Sequence, residues 1–151
     1  MDPSSCKLIV ATDGCGVLTS SHVDSLEDLA PCSHEEADTR LLLHAEHAAK
    51  LGLRKVLIRT VDTDVVLSIS LLDRMNAHEL WIAFRIGKNF RYLAVHDIRA
   101  ALGPDKSAAL PFFHALTGCD TVSCFAGHGK KTAWQTWNAF PDTTPTFIKL
   151  A

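Results

Sequence analysis

The stretch Lys55-Val56-Leu57-Ile58-Arg59-Thr60-Val61-Asp62-Thr63-Asp64 decides the fold class. Its first six residues, rich in Val, Leu and Ile, read as a strand of the buried type. The strand ends at Asp62-Thr63-Asp64, and residues 65–72 look helical. Just upstream lies the best helix signal in the chain. Ser33-x-x-Glu36 fits a capping box, Ala37, Leu41, Leu42, Ala45, Ala48 and Ala49 form an apolar stripe, and Gly52 closes it. Helix, strand and helix in succession predict an α/β fold, with a partly parallel sheet and flanking helices.

Working outward, residues 7–12 read as a strand and Asp13-Gly14 as a turn into a second strand at 16–19. Residues 20–32 are polar and read as a loop. Downstream, residues 80–84 and 90–95 bracket Gly87-Lys88-Asn89 as a hairpin. Helices are expected at about 97–102, ending at Gly103-Pro104, at about 106–116, and at 130–140, stopped by Pro141. Three segments follow: an N-terminal hairpin and loop at 1–32, an α/β core at 33–120, and a C-terminal helical segment at 121–151. No internal repeat or low-complexity run interrupts them.

At 151 residues the chain fits one domain with a sizeable core. It is 47% hydrophobic and 21% charged, the composition of an ordinary globular protein. A formal charge of −2 argues against coating nucleic acid by bulk electrostatics. Charge is unevenly spread, however. Residues 1–53 carry nine acids against three bases, whereas residues 121–151 carry three lysines against Asp142 alone. An acidic front and a basic tail suit a metal site beside a backbone-binding element, with chance surface charge as the plain alternative. Five irregularly spaced cysteines, with neither a signal-like start nor a membrane-length apolar run, predict reduced thiols in an intracellular setting, cytosol or nucleus.

Three short acidic motifs stand at element ends: Glu36-Ala37-Asp38, Asp62-Thr63-Asp64 and Thr117-Gly118-Cys119-Asp120. Carboxylates collected in this way commonly hold hard divalent cations. Each of the first two has a competing explanation. Asp62 can N-cap the helix after it with Asp64 in its first turn, and Glu36 and Asp38 can serve the helix start. Asp120 differs, because it is expected after a helix C-terminus, where the macrodipole disfavours an acid and a cation would compensate. Gly127-His128-Gly129-Lys130-Lys131 then leads into a helix, a common way to grip phosphate, or else forms a plain tight turn.

Other chemistries fit less well. A P-loop would need glycine where Cys124 stands and Ser or Thr where Lys131 stands. His34-Glu35-Glu36 matches part of a zinc-deaminase motif, but no Pro-Cys-x-x-Cys follows. Cys119, Cys124 and His128, or His44 with His47, give no four-ligand zinc pattern, and the two histidines read as helix-surface residues. Cys119 lacks an obvious activating base. Trp134 and Trp137, at i and i+3, read as core rather than as base-stacking rings.

The order and wording of the motifs resemble the flap-endonuclease (5′-nuclease) branch of the PIN-like nuclease superfamily. That group has a Glu-Ala-Glu-like motif opening a helix, an Asp-x-Asp after a strand and a Leu-Gly-Cys-Asp-like motif after a helix. A Gly-x-Gly-x-Lys-x-Ala turn follows. The counterparts here are Glu36-Ala37-Asp38, Asp62-Thr63-Asp64, Leu116-Thr117-Gly118-Cys119-Asp120 and the stretch from Gly127 to Ala133. The chain also looks similar to a group of animal proteins for which a mobile-element association is the expectation. The resemblance implies a PIN-like core followed by a helix-turn-helix-type segment that binds DNA backbone. It implies that Glu36, Asp38, Asp62, Asp64 and Asp120 are the catalytic residues and hold two divalent ions, Mg²⁺ or Mn²⁺. Gly127, Gly129, Lys130 and Lys131 would bind nucleic acid, with K⁺ on the carbonyls of the turn. The implied partner is DNA, with no membrane contact. The family also places aspartates ahead of its Glu-Ala-Glu-like motif, where this chain has about thirty residues of hairpin and loop. A partial or degenerate domain is therefore expected, and the competing expectation is a catalytically inactive nucleic-acid-binding or scaffolding remnant.

Overall fold

The computed structural model describes residues 9–13, 16–20, 26, 29, 37–62, 72, 77–119, 127 and 129–151. Strand β1 (Val10–Asp13) pairs antiparallel with β2 (Gly16–Thr19), in a register that sets Asp13 opposite Gly16. This hairpin is a sheet of its own. It reaches the rest of the fold through Thr12 Oγ1, 3.2 Å from His44 Nε2.

Helix α1 (Ala37–Lys50) ends as its glycine predicts. Gly52 adopts φ +86°, its N–H donates to the Ala49 carbonyl, and the Leu53 N–H reaches back to the Ala48 carbonyl. That pair of bonds is a Schellman motif, which satisfies the last carbonyls and turns the chain. Four residues later β3 (Lys55–Thr60) begins. It pairs in parallel with β4 (Glu79–Phe84), and β4 pairs antiparallel with β5 (Arg91–Ala94) across a 3₁₀ turn at Gly87–Asn89. The result is an α/β fold with a mixed three-stranded sheet in the order β3-β4-β5.

One face of this sheet is the floor of the core. Ile58, Leu80, Ile82 and Phe84 point into it and meet Ala45 and Ala49 of α1. The helices that follow share the same core: α2 (Val95–Leu102), α3 (Pro104–Leu116), α4 (Lys130–Ala139) and α5 (Thr144–Leu150). Val95, Leu110, Phe113 and Trp137 belong to it, so residues on both sides of position 120 bury apolar surface together. Trp137 stacks on Phe113 at 4.9 Å between centroids and donates its indole N–H to Thr144 Oγ1 at 2.9 Å. Trp134 meets it edge-on at 5.3 Å. Core packing is thus the role of this tryptophan pair.

The other sheet face departs from expectation. A buried-type strand should be covered on both sides, yet Leu57 is 59% exposed and Tyr92 60% exposed. The apolar run in β3 comes from one buried face plus an uncovered leucine, which sequence alone does not separate from two buried faces. Helix boundaries also shift. Each of α2 and α3 starts about two residues earlier than predicted, and Gly103 at φ +80° alone divides them. Pro104, read as a stop, is the first residue of α3, where a missing N–H costs nothing. Helix α5 was not expected. The helix predicted at 65–72 lies outside the described residues.

Candidate metal and nucleic-acid site

Thr60 closes β3 with two bonds. Its carbonyl accepts from the Arg85 backbone N–H at 3.0 Å, and its Oγ1 accepts from the Asp62 N–H at 3.0 Å. The first bond extends the parallel pairing past the end of β4. The second folds the chain over the strand end and fixes where Asp62 begins. Asp62 is half-buried and has a further interaction. It lies beyond the carboxyl end of a parallel strand, the usual place for a site in an open α/β sheet.

The start of α1 belongs to the same end of the sheet. A helix of 14 residues is about 21 Å long at 1.5 Å per residue, and a strand of six residues about 20 Å. The Schellman turn reverses the chain between them, and α1 packs on β3. The first turn of α1, which contains Asp38, is therefore level with the end of β3, where Asp62 stands. These two sequence-predicted residues come to one end of the fold. The Asp38 side chain, and Glu36, Asp64 and Asp120 entirely, lie outside what is described. Helix α3 does end just ahead of Asp120. The Thr117 hydroxyl donates to the Phe113 carbonyl at 2.8 Å and Gly118 takes φ +93°, as a terminating glycine does. Among the described residues, no three His, Cys, Asp or Glu side chains gather as a metal-ligating group.

The predicted phosphate turn is described at Gly127 and from Gly129 onward. Gly127 has φ +77°, a value that favours glycine. Gly129, the N-cap of α4, has ordinary extended geometry at φ −78°. A Cβ on either glycine would meet nothing within 4 Å, so the space over the turn is open. Among the described residues no side chain caps α4, and its first turn holds no acid. Its first N–H groups have no intrahelical partner, and among the described residues no side-chain cap satisfies them. Lys130 and Lys131 are exposed, and the Lys130 ammonium leans onto the His114 ring, 3.0 Å from Nδ1.

The histidines of α1 differ from the surface pair that the sequence suggests. His47 is buried, and neither ring nitrogen has a hydrogen-bond partner among the described residues. His44 is half-buried and held by Thr12, and its pKa is lowered, first by burial and then by the positive charge of His47 and Arg40. A guanidinium beside the pair opposes cation binding there.

Sequence reasoning missed the open sheet face. Its signal was present as alternation: Trp81, Ala83, Tyr92 and Ala94 share the face of Leu57 and Arg59 once the register is known. Compared with family models, curated proteins and solved structures, the chain matches none. Among the described residues no helix is long and apolar enough to cross a membrane.

Proposed function

We propose that the chain is a PIN-like, divalent-metal-dependent nuclease domain, with a C-terminal helix-turn-helix-type segment that grips DNA backbone. The observation that carries this reading is the place of Asp62. It is held half-buried past the carboxyl end of the parallel strand β3, level with the turn of α1 that bears Asp38. A carboxylate at that place is a hard oxygen donor of the kind a divalent cation takes.

The motif order adds Glu36, Asp64 and Asp120 to the ligand set. Carboxylate oxygens are hard donors that suit Mg²⁺ or Mn²⁺ over softer metals. Bound there, the ions would supply an activated water and stabilisation of the leaving oxygen of a phosphodiester. The residues of the chain do the positioning. The Thr60 hydroxyl orients the Asp62 backbone, while the free N–H groups of α4, with Lys130 and Lys131, hold phosphate without reading sequence. K⁺ on the carbonyls of the turn would belong to the same grip.

Titrating Mn²⁺ into the protein and into an Asp62→Ala, Asp64→Ala, Asp120→Ala variant tests the reading. Saturable binding by the parent alone, together with cleavage of labelled flap or duplex DNA, is the expected result. Equal, negligible binding by both sinks the metal site. A second reading, backbone binding without cleavage, is favoured by the uncapped start of α4, whose amides and lysines attract phosphate whatever the carboxylates do. Metal-independent DNA binding with no hydrolysis would select it.

A further inference from the structure

We infer that the open face of the β3-β4-β5 sheet is a stacking platform for single-stranded nucleic acid. Register places its residues in rows across the strands. Arg59, Ala83 and Tyr92 form one row, Leu57, Trp81 and Ala94 the next, and Lys55 with Glu79 a third. Leu57 and Tyr92 are 59% and 60% exposed, and Phe90, just before β5, is 41% exposed. A depression of about 340 Å³ opens between Leu57, Trp81 and Tyr92, within the range of about 300–1,000 Å³ typical of ligand clefts.

The rings are already oriented. Phe90 meets Tyr92 edge-on at 5.0 Å and 83°, and His96 meets Trp81 edge-on at 5.2 Å and 71°. The Trp81 indole N–H also donates to Glu79 Oε2 at 3.1 Å. Fixed aromatic faces lose little entropy when a base stacks on them.

Charge selects the occupant. Among the described residues Glu79 is the only acid on this face, and Lys55 pairs with it at 2.8 Å. Arg59 is exposed there, and Lys88 stands at the tip of the β4–β5 turn. Between residues 80 and 96 there is no Asp or Glu. Arg91, which pairs with Phe84 and lies over its ring at 5.6 Å, points to the opposite side of the sheet, so Arg59 and Lys88 are the cations that serve this face. Exposed Phe90 and Tyr92 and half-buried Trp81, around a buried Ala83 and beside exposed Arg59 and Lys88, fit a polyanion whose bases are free to stack. A duplex hides its base faces and would engage the cations alone.

The inference stands apart from the nuclease reading, because none of these residues is a proposed metal ligand. Fluorescence anisotropy with a labelled dT 20-mer, in EDTA at low salt, tests it. An abasic oligomer of equal length, a duplex and polyglutamate serve as competitors. The dT strand should bind saturably, outcompete all three and quench Trp81 fluorescence, the last signal disappearing in Trp81→Phe. Tyr92→Leu keeps apolar bulk but removes the ring, and Arg59→Ala removes the charge. Each should weaken binding about tenfold, as loss of one stacked base or one charge-assisted contact does. Tyr92→Phe should restore it, with circular dichroism confirming that every variant folds. Equal affinity for the abasic strand, or wild-type affinity in Tyr92→Leu, overturns the platform. Displacement by polyglutamate as effective as by dT also overturns it and assigns the face to an acidic protein partner. Strand binding without Mn²⁺ binding would refute the nuclease reading alone, and the reverse would refute the platform alone.

Discussion

Replacing Trp137 by alanine removes the side chain that joins the C-terminal helices to the core. The indole is 3% exposed, stacks on Phe113, and touches Phe147 at 5.3 Å and Trp134 at 5.3 Å. Truncating a buried Trp costs about 3–5 kcal/mol, more where the site cannot collapse. Collapse is hindered here, because a cavity of about 250 Å³ already lies beside the ring, between Phe113, Ala133 and Phe147. The Thr144 hydroxyl, 9% exposed, also loses its donor, which adds part of the ~1–3 kcal/mol that an orphaned buried polar group costs. A loss of about 4–5 kcal/mol is expected, which lowers Tm by roughly 8–20 °C for a chain of this size. Urea unfolding followed by far-UV circular dichroism measures it, and near-UV circular dichroism should lose the Trp134–Trp137 signal. A double-mutant cycle of Trp137→Phe and Thr144→Val isolates the hydrogen bond, with a coupling of about 1 kcal/mol. A loss below about 1 kcal/mol for Trp137→Ala would mean that residues 130–150 do not share the sheet's core, and the packing argument would fail.

Two further outcomes follow from the site and its surroundings. Burial, His47 and Arg40 lower the His44 pKa from its ordinary value of 6.5. Folded His44 therefore binds a proton less readily than unfolded His44, so its stabilisation is whole above about pH 6.5 and is lost as pH falls through the folded pKa. Urea midpoints should decline on that acid side in the parent and decline less in His44→Gln. Parallel declines would remove His44 from the account. Lys130→Ala with Lys131→Ala should weaken duplex binding similarly across sequences and flatten its salt dependence by about two phosphate contacts. Unchanged affinity at low salt would reduce the turn to a connector.

What sequence made legible was local. Gly52 announced the end of α1 because a Schellman turn needs a positive φ that glycine supplies cheaply. The β3 strand, the β4–β5 hairpin and Pro141 after α4 were readable for similar reasons, since each is marked by residues within a few positions of it. Long-range features were not readable. Helix α5 spans seven residues, too few to show a period, and is held by Phe147 and Thr144 against Trp137. His47 looks like a surface residue in a polar stretch, and only packing buries it. The uncovered face of β3 is invisible in a run of Val, Leu and Ile, because burial of alternate residues depends on which layers the fold lacks. For the site, the place of Asp62 after a strand was legible from the strand itself. Its alignment with the start of α1 required the reversal at Gly52.

That reversal bears on how the two proposed surfaces relate. Arg59 ends the open face, Thr60 points inward and bonds the Asp62 backbone, and the Thr60 carbonyl takes the Arg85 N–H. The open face and Asp62 therefore meet within three residues of one strand. A single strand stacked on Tyr92 and passing Arg59 would arrive at Asp62 by continuing in the direction of β3. On the two proposals together, opposite charges placed so close would serve different atoms of one ligand: the cations would meet phosphate, and the carboxylates the metal that phosphate also binds. Without a cation, acids at that edge would repel the strand that the platform attracts. Adding Mg²⁺ should therefore tighten dT binding in the parent and leave it unchanged in Asp62→Ala, a coupling that neither surface acting alone would produce.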